Sequence, residues 1–104
     1  MSNIHETLPH KLDKKVAIKR IQDLLPGLTS KYSKLIKNFA QNPENDKIKF
    51  SFDISKFPFF GHVYGVIIVN KDNVLIDGEF PDTLSFLKQN IINTIREKGG
   101  DLLS

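Results

Sequence analysis

The sequence predicts an α+β domain in which an antiparallel sheet packs against two helices, in the element order β-α-β-β-β-β-α. The first observation is a stretch of three consecutive strand patterns, divided by turn residues, between Lys47 and Phe80. A long amphipathic helical pattern precedes this stretch and a shorter one follows it. With 104 residues, the chain has room for one domain, which we expect to span residues 1–104.

The first two elements are a short strand and a long helix. Residues 3–8 form the predicted strand, which Pro9 closes, and Asp13 is the predicted N-cap of the helix. Pro26 lies on the polar side of the helical pattern. Because the apolar residues keep the same helical spacing after it, we expect a kinked helix rather than a broken one. The apolar stripe of this helix consists of Ala17, Ile21, Leu24, Leu25, Leu28, Tyr32 and Leu35.

The meander supplies the remaining strands. A strand over residues 36–41 and a polar turn lead into a strand with one buried face, because its apolar and polar side chains alternate from Lys47 to Ile54. The strand from Val63 to Val69 is apolar on both faces. Both faces of the sheet must therefore be covered. Either the two helices pack on opposite faces, or one face is covered by another chain or by a hydrophobic surface.

A second amphipathic pattern after Pro81 predicts the C-terminal helix, with Leu84, Leu87, Ile91 and Ile95 in its apolar stripe. Gly99-Gly100 predicts the end of that helix, followed by a short tail whose leucines can still dock on the core.

Composition and motifs exclude several function classes. Without cysteine there is no disulfide framework, thiolate zinc site or cysteine nucleophile, which fits a cytoplasmic protein. No apolar run approaches the ~20 residues that span a bilayer, and we expect no cleaved signal. His5, His10 and His62 lack the spacing of metal ligands, and no nucleophile or phosphate-binding motif is present. We therefore predict no catalytic, metal-binding or cofactor-binding residues, and we favour a non-enzymatic protein.

Apolar side chains at unusual positions predict a binding surface. Phe57, Phe59 and Phe60 lie between two strands, where polar turn residues are ordinary. Phe86 lies opposite the apolar stripe of its helix, where a monomeric helix normally carries a polar residue. These phenylalanines either fold back under a helix or bind a second copy, a protein partner or a hydrophobic surface.

Two alternative functions come from other residues. A cleft between sheet and helix near His62, Tyr64 and Asp77 would hold a small ligand or an enzymatic site. Eight Lys and Arg against three acids over residues 1–37 favour weak nucleic-acid binding through the first helix. This interpretation ranks third, because no aromatic residues are interleaved among the basic residues Lys14, Lys15, Lys19 and Arg20.

The order of elements and a few residues carry a family resemblance. An early strand is followed by His10-Lys11-Leu12 and by a helix with Ala17 in its first turns. A meander with Gly61 and Gly65 comes next, and then Pro81 and an amphipathic helix. In these features the chain resembles the putative polyhydroxyalkanoic acid system protein family. The resemblance covers almost the whole chain. It implies a small cytoplasmic protein connected with polyhydroxyalkanoate granules, in a binding or scaffolding role at the granule surface or among its assembly factors. It supplies no functional residue, because no active site is established for the family.

Overall fold

The elements confirm the predicted α+β order. The structure, a computed structural model, describes residues 2–103, without the side chains of Ser2, Leu28, Thr29, Lys31, Phe59 and Leu87. A short 3₁₀ helix, Asp82–Leu87, precedes the last α-helix. The other elements are β1 (Ser2–Pro9), α1 (Lys14–Lys31), β2 (Ile36–Glu44), β3 (Lys47–Lys56), β4 (Phe59–Val69), β5 (Asn73–Phe80) and α2 (Lys88–Leu102).

The five strands form one antiparallel sheet in the order β1-β5-β4-β3-β2. The last four strands are the predicted meander, in which each strand pairs with its neighbour in sequence. β1 joins the sheet beside β5, where Ile4 pairs with Gly78. The apolar strand β4 therefore lies in the middle of the sheet.

Both helices pack on the same face of the sheet, which we call the inner face. One core cluster joins Ala17 and Ile21 of α1 to Ile48 and Ile67 of the sheet. The other cluster joins Leu84, in the 3₁₀ helix, to inward side chains that include Ile4, Ile54, Val63 and Phe80. The arrangement with helices on opposite faces is thus wrong, and the opposite face, which we call the outer face, is covered by no element of residues 2–103.

Pro26 lies inside α1, as predicted, although the helix ends at Lys31 rather than near Leu35. Proline has no N–H, so the carbonyl of Gln22 loses its partner within the helix. The side-chain amide of Gln41 on β2 donates to that carbonyl at 3.4 Å. A hydrogen bond from the sheet thus compensates for the proline.

The predicted end of the last helix at Gly99-Gly100 is wrong. α2 continues to Leu102, because tertiary packing favours the helix there. A Cβ atom built on Gly99 would lie 2.4 Å from Cδ1 of Leu8, so the missing side chain lets α2 approach β1. Leu103 then docks on the core with 4% of its surface exposed, as the sequence predicted for the tail.

One ion pair joins the inner face to α2. Glu6 points inward from β1 and is only 9% exposed. Nη2 of Arg96 lies 3.1 Å from Oε1 of Glu6, and Nε donates to Oε2 at 3.3 Å. These two contacts replace the hydrogen bonds to water that the carboxylate of Glu6 loses when it is buried.

A helix that crosses a bilayer must be both long and apolar. Within residues 2–103, neither α1 nor α2 combines the two properties.

Candidate functional site

The outer face combines apolar side chains in the middle of the sheet with polar side chains around them. Val66 and Ile68 of β4 and Leu75 of β5 are half-buried there, and Tyr64 is 41% exposed. In an antiparallel sheet with one solvated face, these positions are usually polar. The outer face is therefore a candidate for contact with another molecule.

Three pairs of polar side chains cross the outer face. His5 bonds to Asp77 through Nδ1, and these residues are direct partners in the β1–β5 register. Tyr64 donates its hydroxyl hydrogen to Glu79, its direct partner on β5. On the other side of β4, Nδ1 of His62 lies 2.7 Å from Oδ1 of Asp53. Register thus brings the two members of each pair together from neighbouring strands.

Hydrogen bonds change the acidity of two of these groups. A bond from the Asn38 amide and, second, one from His62 hold the pKa of Asp53 below its ordinary value. The stability that Asp53 contributes is therefore present above the ordinary carboxyl pKa and is lost as pH falls through the lowered one. The bond to Glu79 raises the pKa of Tyr64, because it favours the protonated phenol.

We expect Tyr64 to ionise only above the ordinary tyrosine pKa of about 10. The stability from its bond to Glu79 is then present below that pH and is lost as pH rises through the raised pKa. Since the chain has two tyrosines, ultraviolet titration of the Tyr32→Phe variant follows Tyr64 alone. Adding Glu79→Ala should return the midpoint to about 10, and an unchanged midpoint would contradict the pairing.

An open groove of about 650 Å³ crosses four strands of the outer face. The paired glycines Gly65 and Gly78 lie on its floor, and its walls include Tyr64, Asp77 and Lys49. Two of the predicted cleft residues, Tyr64 and Asp77, thus lie at one groove, and the ring of His62, which does not line it, stacks 5.9 Å from that of Tyr64. They lie on the outer face and not between sheet and helix.

A metal site without cysteine needs several histidine or carboxylate ligands close together. Among the residues that the structure describes, no three His, Asp or Glu side chains are grouped so that they could hold a metal ion.

The phenylalanines predicted to form a binding surface lie in the turn between β3 and β4 and at the start of β4. In this segment, residues 57–60, which we call the hairpin tip, Phe57 is 85% exposed and Phe60 is 58% exposed. The side chain of Phe59 is outside the described part of the structure. The described rings of the tip do not fold back under a helix, so they present apolar surface at one end of the sheet.

Phe86 lies apart from the outer face. It belongs to the 3₁₀ helix and is 57% exposed. Leu84 of the same helix and Pro81, which precedes it, lie within 3.1 Å of a Cβ atom built on Gly61, beside the start of β4. Phe86 is therefore on the helical layer, toward the same end of the sheet as the hairpin tip.

Three of the four basic side chains that favoured nucleic-acid binding, those of Lys14, Lys19 and Arg20, contact other groups of the chain. Lys14 is 2.6 Å from a carboxylate oxygen of Asp46. Such internal contacts compete with phosphate for the charge. Two others bond to neighbours at 3.2 and 2.9 Å, namely Lys19 to Asp23 and Arg20 to the carbonyl of Leu102.

Sequence reasoning missed the partners of the outer-face residues. His5, Asp53 and Asn38 were not associated with Tyr64 or His62, because each pairing depends on strand register. The alternation within each strand was a signal for the face on which a residue lies. It carried no information about the residue beside it on the next strand.

Comparisons with known proteins give a family. No curated protein is similar enough to count as a match. One similar solved structure is the crystal structure of TTHA0849 from Thermus thermophilus, with 10% identity and a TM-score of 0.41 over 98% of this chain and 92% of that one. A likeness this weak supports no conclusion. The family described as "Putative polyhydroxyalkanoic acid system protein" matches residues 4–103, nearly the whole chain, and the protein therefore belongs to the polyhydroxyalkanoic acid system family.

Proposed function

We propose that this chain is a non-enzymatic binding or scaffolding protein that attaches to the apolar surface of a polyhydroxyalkanoate granule through its hairpin tip. The family links the chain to a polyhydroxyalkanoate system. The observation that carries the role is the exposure of Phe57 in the turn and of Phe60 at the start of β4, at 85% and 58%, at the end of a hairpin where polar residues are ordinary.

The chemistry of the tip fits a polyester surface. Burying a phenylalanine side chain contributes about 2–3 kcal/mol, so two rings supply most of the free energy of a micromolar contact, about 8 kcal/mol. Lys56 precedes the rings and is exposed, so its long aliphatic stem can lie on an apolar surface with the ammonium in water.

The groove residues support a binding role more than catalysis. His5 is bonded to Asp77 and Tyr64 to Glu79, so each acid is already engaged by a neighbour. The groove is open along the outer face, whereas catalytic groups gain most from a site that excludes water.

Adsorption to particles tests the proposal. We expect wild-type protein to sediment with amorphous polyhydroxyalkanoate particles, and Phe57→Asp with Phe60→Asp to weaken this binding at least about 1000-fold, since the two rings together contribute about 4 kcal/mol or more. Apolar adsorption should also persist at high salt.

Val16→Asp is the matched control. Val16 is an apolar residue of α1 with 41% exposure, and it lies in the helical layer away from the hairpin tip. The control should bind within about twofold of wild type. Wild-type binding by the double tip variant would overturn the proposal, and a loss confined to Phe86→Asp would move the contact to the 3₁₀ helix.

A further inference from the structure

We propose that the outer face binds a second copy of this chain, in a face-to-face dimer whose two-fold axis runs parallel to β4. The surface is the whole outer face, and the contacts derived below come from the outward side chains of β3, β4 and β5 at its centre. Its apolar centre is Val66 and Ile68, half-buried on the middle strand. This inference rests on other residues than the proposed attachment to granules, apart from Phe60, which lies on the same side of β4 as Tyr64 and Val66.

The strand register makes the face complementary to itself. Lys49 pairs with Val66, and Val66 pairs with Asp77, so the three side chains form one row across the sheet. A two-fold rotation about an axis along β4 exchanges the β3 and β5 sides and preserves position along the strand. Lys49 of each copy then lies over Asp77 of the other, and the two Val66 side chains meet at the axis.

The neighbouring rows repeat this complementarity. Ser51 pairs with Tyr64, and Tyr64 pairs with Glu79, so the same rotation places a serine hydroxyl over each Glu79. In the next row the aliphatic stem of Lys47 covers Leu75 of the other copy. Both acids of β5 thus meet a hydrogen-bond donor from β3.

Sheet-packing geometry permits these contacts. Packed sheets lie ~10 Å apart and cross at about 30°. β3 and β5 lie only ~4.8 Å from the axis. The crossing angle therefore shifts a residue of β3 along the strand by only roughly 2–3 Å relative to the residue of β5 that it faces in the other copy. Lys49 and Asp77 have side-chain exposures of 61% and 46%, so both can reach across, although Lys49 lies 3.9 Å from Glu44 and Asp77 bonds to His5 within each copy.

The area of the face fits a stable dimer. Strand rise and spacing give this five-stranded sheet roughly 700 Å² on each face. Each partner of an ordinary stable complex buries about 800 Å². The whole outer face, rather than one row, is therefore needed.

Charge reversal tests the dimer by sedimentation equilibrium over a concentration series. We expect wild-type protein to dimerise, and Lys49→Glu or Asp77→Lys to weaken the dimer at least about tenfold, because each creates two like-charge contacts. Combining the two substitutions restores opposite charges and should recover most of the affinity. Lys15→Glu, on the exposed side of α1, makes the same charge change as Lys49→Glu and should leave the mass unchanged.

Two results would overturn the inference: a wild-type monomer throughout the series, or a folded double reversal that dimerises no better than either single variant. A monomer whose adsorption to polyester is lost on Val66→Asp would assign the outer face to the granule instead.

Phe57→Asp tests the hairpin tip separately, because Phe57 lies in the turn beyond the outer face. In the dimer both hairpin tips lie at the same end, so two-point attachment would strengthen adsorption.

Discussion

Replacing Gly65 with alanine is expected to destabilise the protein by about 3 kcal/mol or more. A Cβ atom built there would lie 2.3 Å from the backbone oxygen of Asp77 and 2.7 Å from Cζ of Phe50. The first of these atoms belongs to the neighbouring strand and cannot move without opening the β4–β5 ladder. The ring of Phe50 occupies the space that the glycine leaves on the inner face.

Gly78 is the matched control, because it pairs with Gly65 directly across the two strands. A Cβ atom built on Gly78 meets nothing closer than 3.9 Å. Gly78→Ala should therefore change the free energy of unfolding by less than about 1 kcal/mol. Urea denaturation of the two variants measures the difference, and equal stabilities would show that the close approach at Gly65 is wrong.

Replacing His10 with alanine is expected to cost about 2–3 kcal/mol. The side chain is 5% exposed, its Nδ1 accepts from the backbone N–H of Leu12 at 3.1 Å, and its Nε2 donates to the carbonyl of Asn70 at 2.7 Å. These bonds fix the neutral tautomer with its hydrogen on Nε2. Alanine leaves a partly buried donor and a partly buried acceptor without their partner.

Thermal unfolding measures this loss. For a domain of about 100 residues, 1 kcal/mol lowers Tm by roughly 4–8 °C, so His10→Ala should lower it by about 10–20 °C. His5→Ala is the control, because His5 is 68% exposed and should shift Tm by only a few degrees. A His10→Ala variant with the Tm of wild type would show that the two hydrogen bonds of His10 do not stabilise the fold.

The sequence predicted much of the fold because the patterns of single elements carried it. Alternation from Lys47 to Ile54 predicted the inner and outer faces of β3, and the continuous apolar phase predicted that α1 passes Pro26. Gly99-Gly100 failed as a helix end, because packing against Leu8 outweighs the low helix propensity of glycine. Local preference lost to a tertiary contact there.

The candidate site was less predictable. An unusual turn composition, which is a local signal, singled out Phe57 and Phe60, but it left open whether their rings fold back under a helix or stay exposed. The bonds of His5 to Asp77 and of Tyr64 to Glu79 depend on how β1, β4 and β5 align. Side chains 72 residues apart meet only through that alignment, which no local pattern reports.

The most direct test of the binding account uses the absence of cysteine from the chain. Ser55→Cys and Val16→Cys each provide one labelling site for a polarity-sensitive fluorophore. Ser55 is exposed beside the hairpin tip and pairs with Phe60, whereas Val16 lies on α1 in the helical layer. On adding amorphous polyhydroxyalkanoate particles, we expect the emission of the Ser55 label to shift to the blue and that of the Val16 label to stay unchanged. A shift at Val16 alone, or no shift at either position, would contradict attachment through the tip.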